Sequence, residues 1–310
     1  MPPCQPTGHF AAKALIWYNY PCPLRRSGGA STLAKNAPPL ILITNDDGIA
    51  SPGLRAAIWA VRGLGQLLVA APKEQQSAAS RNFLPNPGTT QQESIEVDGV
   101  QVPAFSVEAA PAPTVRRAIL TLAPRTPDLV VVGINYGENV GVGITISGTI
   151  GAAIEAASFG IPALAVSLET EKEKHFSHSE EVDFTVAAHF AQRFARRLLS
   201  IPLPPGVDIL KVDVPRDATP QTPCRLTRVS RQRYFQSIVE VDERGNRRLV
   251  GYDIQIDDDA LEPDSDVHAL RVDRVVSVSP LTIDLSARVE PDRLAALLEP
   301  EEEIHETHTR

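Results

Sequence analysis

Apolar runs of strand length recur along the chain, and most close on a polar or glycine-rich loop: Leu40–Ile43, Leu67–Ala71, Asp128–Gly133, Pro162–Leu168 and Ile209–Val214. The run DLVVVG at 128–133 does not alternate, as expected of a strand covered on both faces. Helical spacing fills the gaps. A helix is predicted from about Pro52 to Arg62, with proline near its first turn and Gly63 and Gly65 after its end. Others are predicted over Ala112–Leu122, over the alanine-rich Thr149–Phe159, and from about Ser179 to Leu199, where Val182, Val186, Phe190, Phe194 and Leu198 stand four apart. Asp98-Gly99 between Ser94–Val97 and Val100–Phe105 is a hairpin signal. The alternation of strand and helix predicts an α/β fold: a Rossmann-type, three-layer, mostly parallel sheet with right-handed crossovers.

Beyond Val214 the pattern changes. Thr227–Ile256 is an arginine-rich pair of β-type runs turning at Glu243-Arg244-Gly245-Asn246, long enough to project as an arm. A two-stranded hairpin rarely stands alone in water, so contact with a partner chain is expected. Val275–Ile283 reads as a last strand, Pro291–Leu298 as a short helix and Glu299–Arg310 as a solvated acidic tail. The expected layout is therefore a domain over 40–290, with its core at about 40–215 and the arm at about 225–258, followed by a C-terminal helix and tail over 291–310. Residues 1–39 hold no acidic residue but include Lys13, Arg25, Arg26 and Lys35. The short apolar patch Ala14–Tyr20 makes a poor signal peptide, so a disordered extension is expected there, with a targeting segment or an upstream-placed start codon as alternatives.

Charge and cysteine usage narrow the partners. The net charge of −8 argues against a nucleic-acid polymer and against an anionic membrane surface, and an anionic substrate would need local positive potential. Cys4, Cys22 and Cys224 are scattered, which fits a reducing, cytoplasmic setting better than a disulfide framework. No run reaches the roughly 18–20 apolar residues of a membrane span.

Candidate chemistry lies in the loops that follow the strands, because ligands of open α/β sheets bind at the carboxyl ends of their strands. Asp46 and Asp47 close the first run; alone, the pair could equally be an Asx turn or a helix cap. The second loop, Ser77-Ala78-Ala79-Ser80-Arg81, offers hydroxyls, and the third, Gly133 to Gly141, leads into Ser147-Gly148-Thr149 at a helix start. A helix N-terminus presents free N–H groups and positive potential, which suit a phosphate, although Ser147 can also be a plain N-cap. If the loops converge, two carboxylates, a hydroxyl and an Asn carbonyl make an all-oxygen set that favours Mg²⁺ or Mn²⁺ over Zn²⁺.

ILITNDDGIASPG, the Ser-x-x-Ser loop, GINYGENVG and SGTIGAAIE, followed by IPALAVSL, LPPGVDILKVDVP and VVSVSPLTID, together resemble the SurE (stationary-phase survival protein) family of metal-dependent 5′-nucleotidases, from about Leu40 to Asp284. The resemblance implies one divalent ion per subunit, Mg²⁺ or Mn²⁺, on Asp46, Asp47, Ser77 and Asn135. It implies a phosphate site around Asn45, Gly48, Ser80, Asn139, Ser147, Gly148 and Thr149. It further implies hydrolysis of nucleoside 5′-monophosphates, with 3′-nucleotides and short polyphosphate as further substrates, and a homodimer or homotetramer that exchanges arm and C-terminal segment. Asp46 or Asp47 would hold or deprotonate the attacking water. The chain departs from the family pattern at Ala78, where Ser-Gly-x-Ser is usual, at Ala109–Thr114, where Gly-Thr-Pro-x-Asp-Cys is usual, and at Ala156 in place of glycine. Arg81 could reach a phosphate or base or lie on the surface, and His175 and His178 read as solvated loop residues. Two rivals fit less well. An aspartyl-phosphate phosphatase needs Asp-x-Asp, which Asn45-Asp46-Asp47 does not supply. A non-catalytic nucleotide-binding domain would carry Gly-x-Gly-x-x-Gly after the first strand.

Overall fold

A computed structural model describes residues 37–83, 88–287 and 289–298. The expectations for residues 1–36 and for the tail after 298 lie outside the described residues. The elements, in chain order, are β1 (Leu40–Thr44), α1 (Pro52–Val61), β2 (Gln66–Pro72), β3 (Thr90–Val97), β4 (Val100–Val107), α2 (Pro111–Arg117), β5 (Leu129–Tyr136), α3 (Gly148–Ser158), β6 (Ala163–Leu168), α4 (Thr185–Ser200), β7 (Ile209–Val214), β8 (Cys224–Leu226), β9 (Phe235–Val241), β10 (Arg247–Ile254), α5 (Asp266–Arg271) and β11 (Val276–Leu281).

Alternate residues of a strand point to opposite faces, and both faces of β1 meet helices. Ile41 and Ile43 pack with Leu54 and Ile58 of α1 and Phe190 of α4. Leu40 and Leu42 pack with Val115 of α2 and with Ile150 and Ala153 of α3. An unbroken apolar run is what such a strand requires. The nine-stranded sheet runs β3-β4-β2-β1-β5-β6-β7-β11-β8, with β4, β2, β1, β5, β6 and β7 mutually parallel. Strand order runs outward from β1 through β2 on one side and from β5 on the other, so the switch point lies between β1 and β5. There the two loops diverge to opposite faces and leave a crevice at the carboxyl ends.

Several boundaries differ from the sequence reading. The longest helix starts at Thr185, not near Ser179, because the Asp183 carboxylate accepts the Thr185 N–H at 2.8 Å and sets the first turn. The helix from Pro111 is α-helical only to Arg117, and Ala118–Leu122 form a wider π-type turn. The third loop is shorter than expected because β5 runs on to Tyr136: after a register shift between Val132 and Asn135, Asn135 pairs with Ser167 and Tyr136 with Leu168. Gly133 permits this irregularity at φ +125°, where a Cβ would lie 2.3 Å from the Val166 carbonyl oxygen. Strand β8 and helix α5 lack a clear periodic signal and were not expected. The arm is β9 and β10 alone; Thr227 instead joins the main sheet through hydroxyl contacts to Ser277 (2.8 Å) and Ser279 (2.9 Å). Pro291–Leu298 is a 3₁₀ helix.

Candidate active site

The first loop is built around Asp46 and Asp47, 4% and 1% exposed. Behind them Ser51 caps α1, its Oγ accepting from Gly53 N at 3.2 Å. Gly48 turns the chain at φ +96°, and Asn45 Nδ2 braces the turn by donating to the Gly48 carbonyl at 3.0 Å. The Asp46 carboxylate faces the start of α3: Thr149 donates its hydroxyl to Oδ1 at 2.5 Å. The same hydroxyl lies 3.2 Å from Asn135 Oδ1. One hydroxyl proton serves one acceptor, so the shorter contact takes it and Asn135 Oδ1 keeps its lone pairs. The Asn135 amide is turned that way because its Nδ2 donates to the carbonyls of Tyr136 (3.1 Å) and Gly137 (2.7 Å).

Asp47 accepts from Tyr136 N at 3.3 Å and from Gln75 Nε2 at 3.0 Å. Gln75 Nε2 is also 2.9 Å from Ser77 Oγ and 2.8 Å from the His175 carbonyl oxygen. An amide nitrogen has two protons for these three acceptors, so one oxygen is left unmet. Asp46, Asp47, Ser77 and Asn135, which come from the loops after β1 and β2 and the end of β5, thus share one hydrogen-bonded network. Burial raises the Asp46 pKa, partly offset by Thr149, which donates through hydroxyl and backbone. Asp47 is raised further, by burial and then by the neighbouring charge of Asp46. Among the described residues no lysine, arginine or histidine forms an ion pair with either carboxylate. These four oxygens are the ones that could hold a hard divalent cation.

The residues expected around phosphate divide. Gly148 and Thr149 touch the carboxylate pair: a Cβ at Gly148 would sit 2.7 Å from Asp46 Oδ2. Ser147 is the N-cap of α3, its Oγ accepting from Ile150 N at 3.1 Å, so the plain reading of that residue also holds. Ser80 does not join the network, because its hydroxyl donates to the Thr145 carbonyl at 3.0 Å and ties the second loop to the third. Asn139 donates its side-chain amide to Ser167 Oγ at 2.9 Å. Arg81 is committed to the buried Glu155, 2.6 Å away, which it shares with Arg116 at 2.7 Å. Ala78, at φ +59°, holds the left-handed conformation that the usual glycine would adopt without strain.

Three neighbours of the network were missed or misjudged in the sequence. Gln75 lies in a polar loop without a motif. His175 and His178, expected to be solvated, cover the first loop instead: His178 Nε2 is 2.5 Å from the Asp47 carbonyl oxygen, and His175 is buried, with Nδ1 2.9 Å from the Tyr252 hydroxyl at the base of the arm. Only the folding of residues 172–178 over Asp47 brings them there, and no local pattern announces it.

Comparison with known proteins finds relatives along most of the chain. The chain is 44% identical over 262 residues to a protein of Thermococcus gammatolerans named 5′-nucleotidase SurE, covering 83% of this chain and 95% of the relative. It is 42% identical to the protein of that name from Methanocella arvoryzae, over 80% of this chain and 93% of the relative. The crystal structure of the SurE protein from Aquifex aeolicus superposes with a TM-score of 0.67 at 26% identity, covering 84% of this chain and all of that one. The family model described as Survival protein SurE matches residues 41–236, and the chain belongs to that family.

Proposed function

We propose that this protein is a 5′-nucleotidase that hydrolyses nucleoside 5′-monophosphates, with Asp46, Asp47, Ser77 and Asn135 holding a divalent cation, Mg²⁺ or Mn²⁺. The observation that carries the reading is the pair of adjacent buried carboxylates, with no ion pair to either among the described residues, beside a helix start. Two like charges in a dry site are stable only with a counter-charge, and an all-oxygen donor set fits a hard cation. When bound, such an ion polarises a phosphoryl oxygen and acidifies a water. The chain's own part is to hold and orient. Thr149 fixes the Asp46 carboxylate, and Tyr136 N and Gln75 fix that of Asp47. The first N–H groups of α3 lie at the crevice, where positive potential favours the charge that grows on the phosphoryl oxygens. Either aspartate accepts the proton of the attacking water.

The test is phosphate release from a panel of nucleoside 5′- and 3′-monophosphates and short polyphosphate. Turnover of the 5′-monophosphates should be abolished by EDTA and restored by Mn²⁺ or Mg²⁺. Turnover that survives exhaustive chelation would refute the metal reading, and no phosphate release with any metal would refute the activity.

A homodimer or homotetramer with exchanged arms belongs to the same proposal. Ile238, Val239, Val241, Leu249 and Val250 leave an apolar surface exposed on β9 and β10. Light scattering should report a multiple of the 33.5 kDa chain mass, reduced on deleting residues 236–253; a monomeric full chain would contradict it. Free, half-buried Cys224 is consistent with the cytoplasm, and no helix among the described residues is long and apolar enough to cross a membrane.

A further inference from the structure

Lys211 and Asp213 on β7 and Asp266 at the start of α5 are all fully buried, and none belongs to the network around Asp46 and Asp47. Charges taken out of water are costly unless every donor and acceptor is used, and an apolar trio of the same volume is often the more stable choice. Here the ammonium is fully used. Lys211 Nζ donates to the Asp213 carboxylate, to Asp266 Oδ2 at 3.1 Å and to the Asn139 carbonyl oxygen at 2.8 Å, which accounts for its three protons. Asp213 Oδ1 accepts the Asn139 N–H at 2.8 Å. Asp266 Oδ2 accepts the Gly141 N–H at 3.2 Å, and Oδ1 accepts those of Ser230 and Val267, each at 2.9 Å.

What the charges provide beyond an apolar filling is direction. Past Gly137, whose N–H still donates to the Leu168 carbonyl of β6 at 2.9 Å, the backbone leaves the sheet until the 3₁₀ turn that begins at Gly141, yet it is buried. Its polar groups must find partners elsewhere. The triad holds the N–H and the carbonyl of Asn139 and the N–H of Gly141. With both backbone groups fixed and Nδ2 turned to Ser167, the Asn139 side chain has one orientation.

We propose that Lys211, Asp213 and Asp266 are positioning residues for phosphate binding: they clamp the Asn139–Gly141 backbone so that Asn139 meets the phosphoryl group of the substrate. The proposal rests on Asn139 being a phosphate-binding residue. A loop that grips phosphate in ground and transition state alike contributes uniform binding, so loosening it raises KM and leaves kcat.

The test uses the full chain at saturating Mn²⁺, measuring kcat and KM for a nucleoside 5′-monophosphate and Ki for inorganic phosphate. Asn139→Ala examines the underlying reading and should raise KM and Ki about tenfold, the worth of one hydrogen bond to a charged group. Lys211→Met with Asp213→Asn keeps the net charge of the triad and an acceptor for the Asn139 N–H, but removes the donor to its carbonyl. It should raise both constants by about five- to tenfold, with kcat and the Mn²⁺ concentration for half-activation unchanged. Should the double variant not fold, Asp213→Ala alone, which removes the acceptor of the Asn139 N–H and leaves Lys211 paired with Asp266, is read by the same constants, with the same direction expected. Unchanged KM and Ki in the folded triad variant, with or without a fall in kcat, overturn the clamp when Asn139→Ala shows its rise. If Asn139→Ala leaves both constants unchanged, the phosphate role of Asn139 falls, and the clamp's purpose falls with it.

Discussion

Asp47→Asn should lower kcat/KM for nucleoside 5′-monophosphates by about a thousandfold, because it removes a charged ligand from an ion that supplies several kcal/mol of transition-state stabilisation. The same substitution should act on stability in the opposite sense when metal is absent. Burial and the charge of Asp46 raise the Asp47 pKa well above 3.8 in the folded chain. A group that binds its proton more tightly when folded stabilises the fold fully below its unfolded pKa, and that stabilisation is lost as pH rises through the folded pKa. As pH rises above the ordinary carboxylate range the metal-free wild type therefore loses stability, because Asp47 must either keep its proton or ionise beside Asp46 in a buried site, and Asp47→Asn escapes that loss. The amide turns its NH₂ toward one of the donors that Asp47 now satisfies, Tyr136 N or Gln75; Gln75 can turn its own amide over to meet it. In EDTA at pH 8 the variant should melt above the wild type, with the gap closing toward pH 4. In Mn²⁺ the order should reverse, since binding to the native state alone adds stability and the wild type binds more tightly. Thermal melts with and without metal at the two pH values, beside phosphate-release assays, check this. Wild-type turnover, or an equal Mn²⁺-induced shift in both proteins, would take Asp47 out of the metal site.

The parts of this site that were legible in the sequence are those whose cause is local. Leu40–Ile43 is apolar throughout because α1 and α4 cover one face of β1 and α2 and α3 the other, and a run of that kind can be read directly. Asp46-Asp47 follows it at the carboxyl end, where the crevice must lie, and Ser147-Gly148-Thr149 carries its own cap. The start of α4 was misplaced because Val182 continues a four-residue spacing, while Asp183, whose carboxylate turns the chain by accepting the Thr185 N–H, lies inside it. Gln75 and His178 were not legible at all: His178 meets a carbonyl 131 residues away, and only the tertiary fold supplies that contact. Ser80 shows the converse. The Ser-x-x-Ser spacing points to two hydroxyls in the site, yet one hydroxyl is used to fasten two loops together. Lys211 and Asp213 lie in the run Ile209–Val214, whose pattern predicts a strand and nothing more, because the element that buries them, α5, lies more than fifty residues away and carries no clear signal of its own.

Gly148→Ala is expected to cost activity about a hundredfold through one methyl group pressed against Asp46. The added Cβ would lie 2.7 Å from Asp46 Oδ2 and 2.8 Å from its Cβ, closer than such atoms approach, and 3.1 Å from its Cγ. A flexible side-chain tip could swing aside, but the clash includes the Asp46 Cβ, which moves only with the backbone of the turn. That turn is held by Asn45 against Gly48, and the Gln76 N–H donates to the Asp46 carbonyl at 2.7 Å. The carboxylate is fixed from the other side by Thr149, so relief requires the start of α3 and the first loop to separate. A shift of about 1 Å in a catalytic group is enough for a loss of this size. Helix propensity works the other way, since alanine in place of glycine favours a helix by up to about 1 kcal/mol. The two effects are separable: Mn²⁺ affinity from the activation curve and kcat should fall, while the metal-free melting temperature changes by no more than a few degrees. A variant that binds Mn²⁺ and turns over like the wild type would mean that Asp46 has room to move, which a ligand fixed between β1 and α3 does not have.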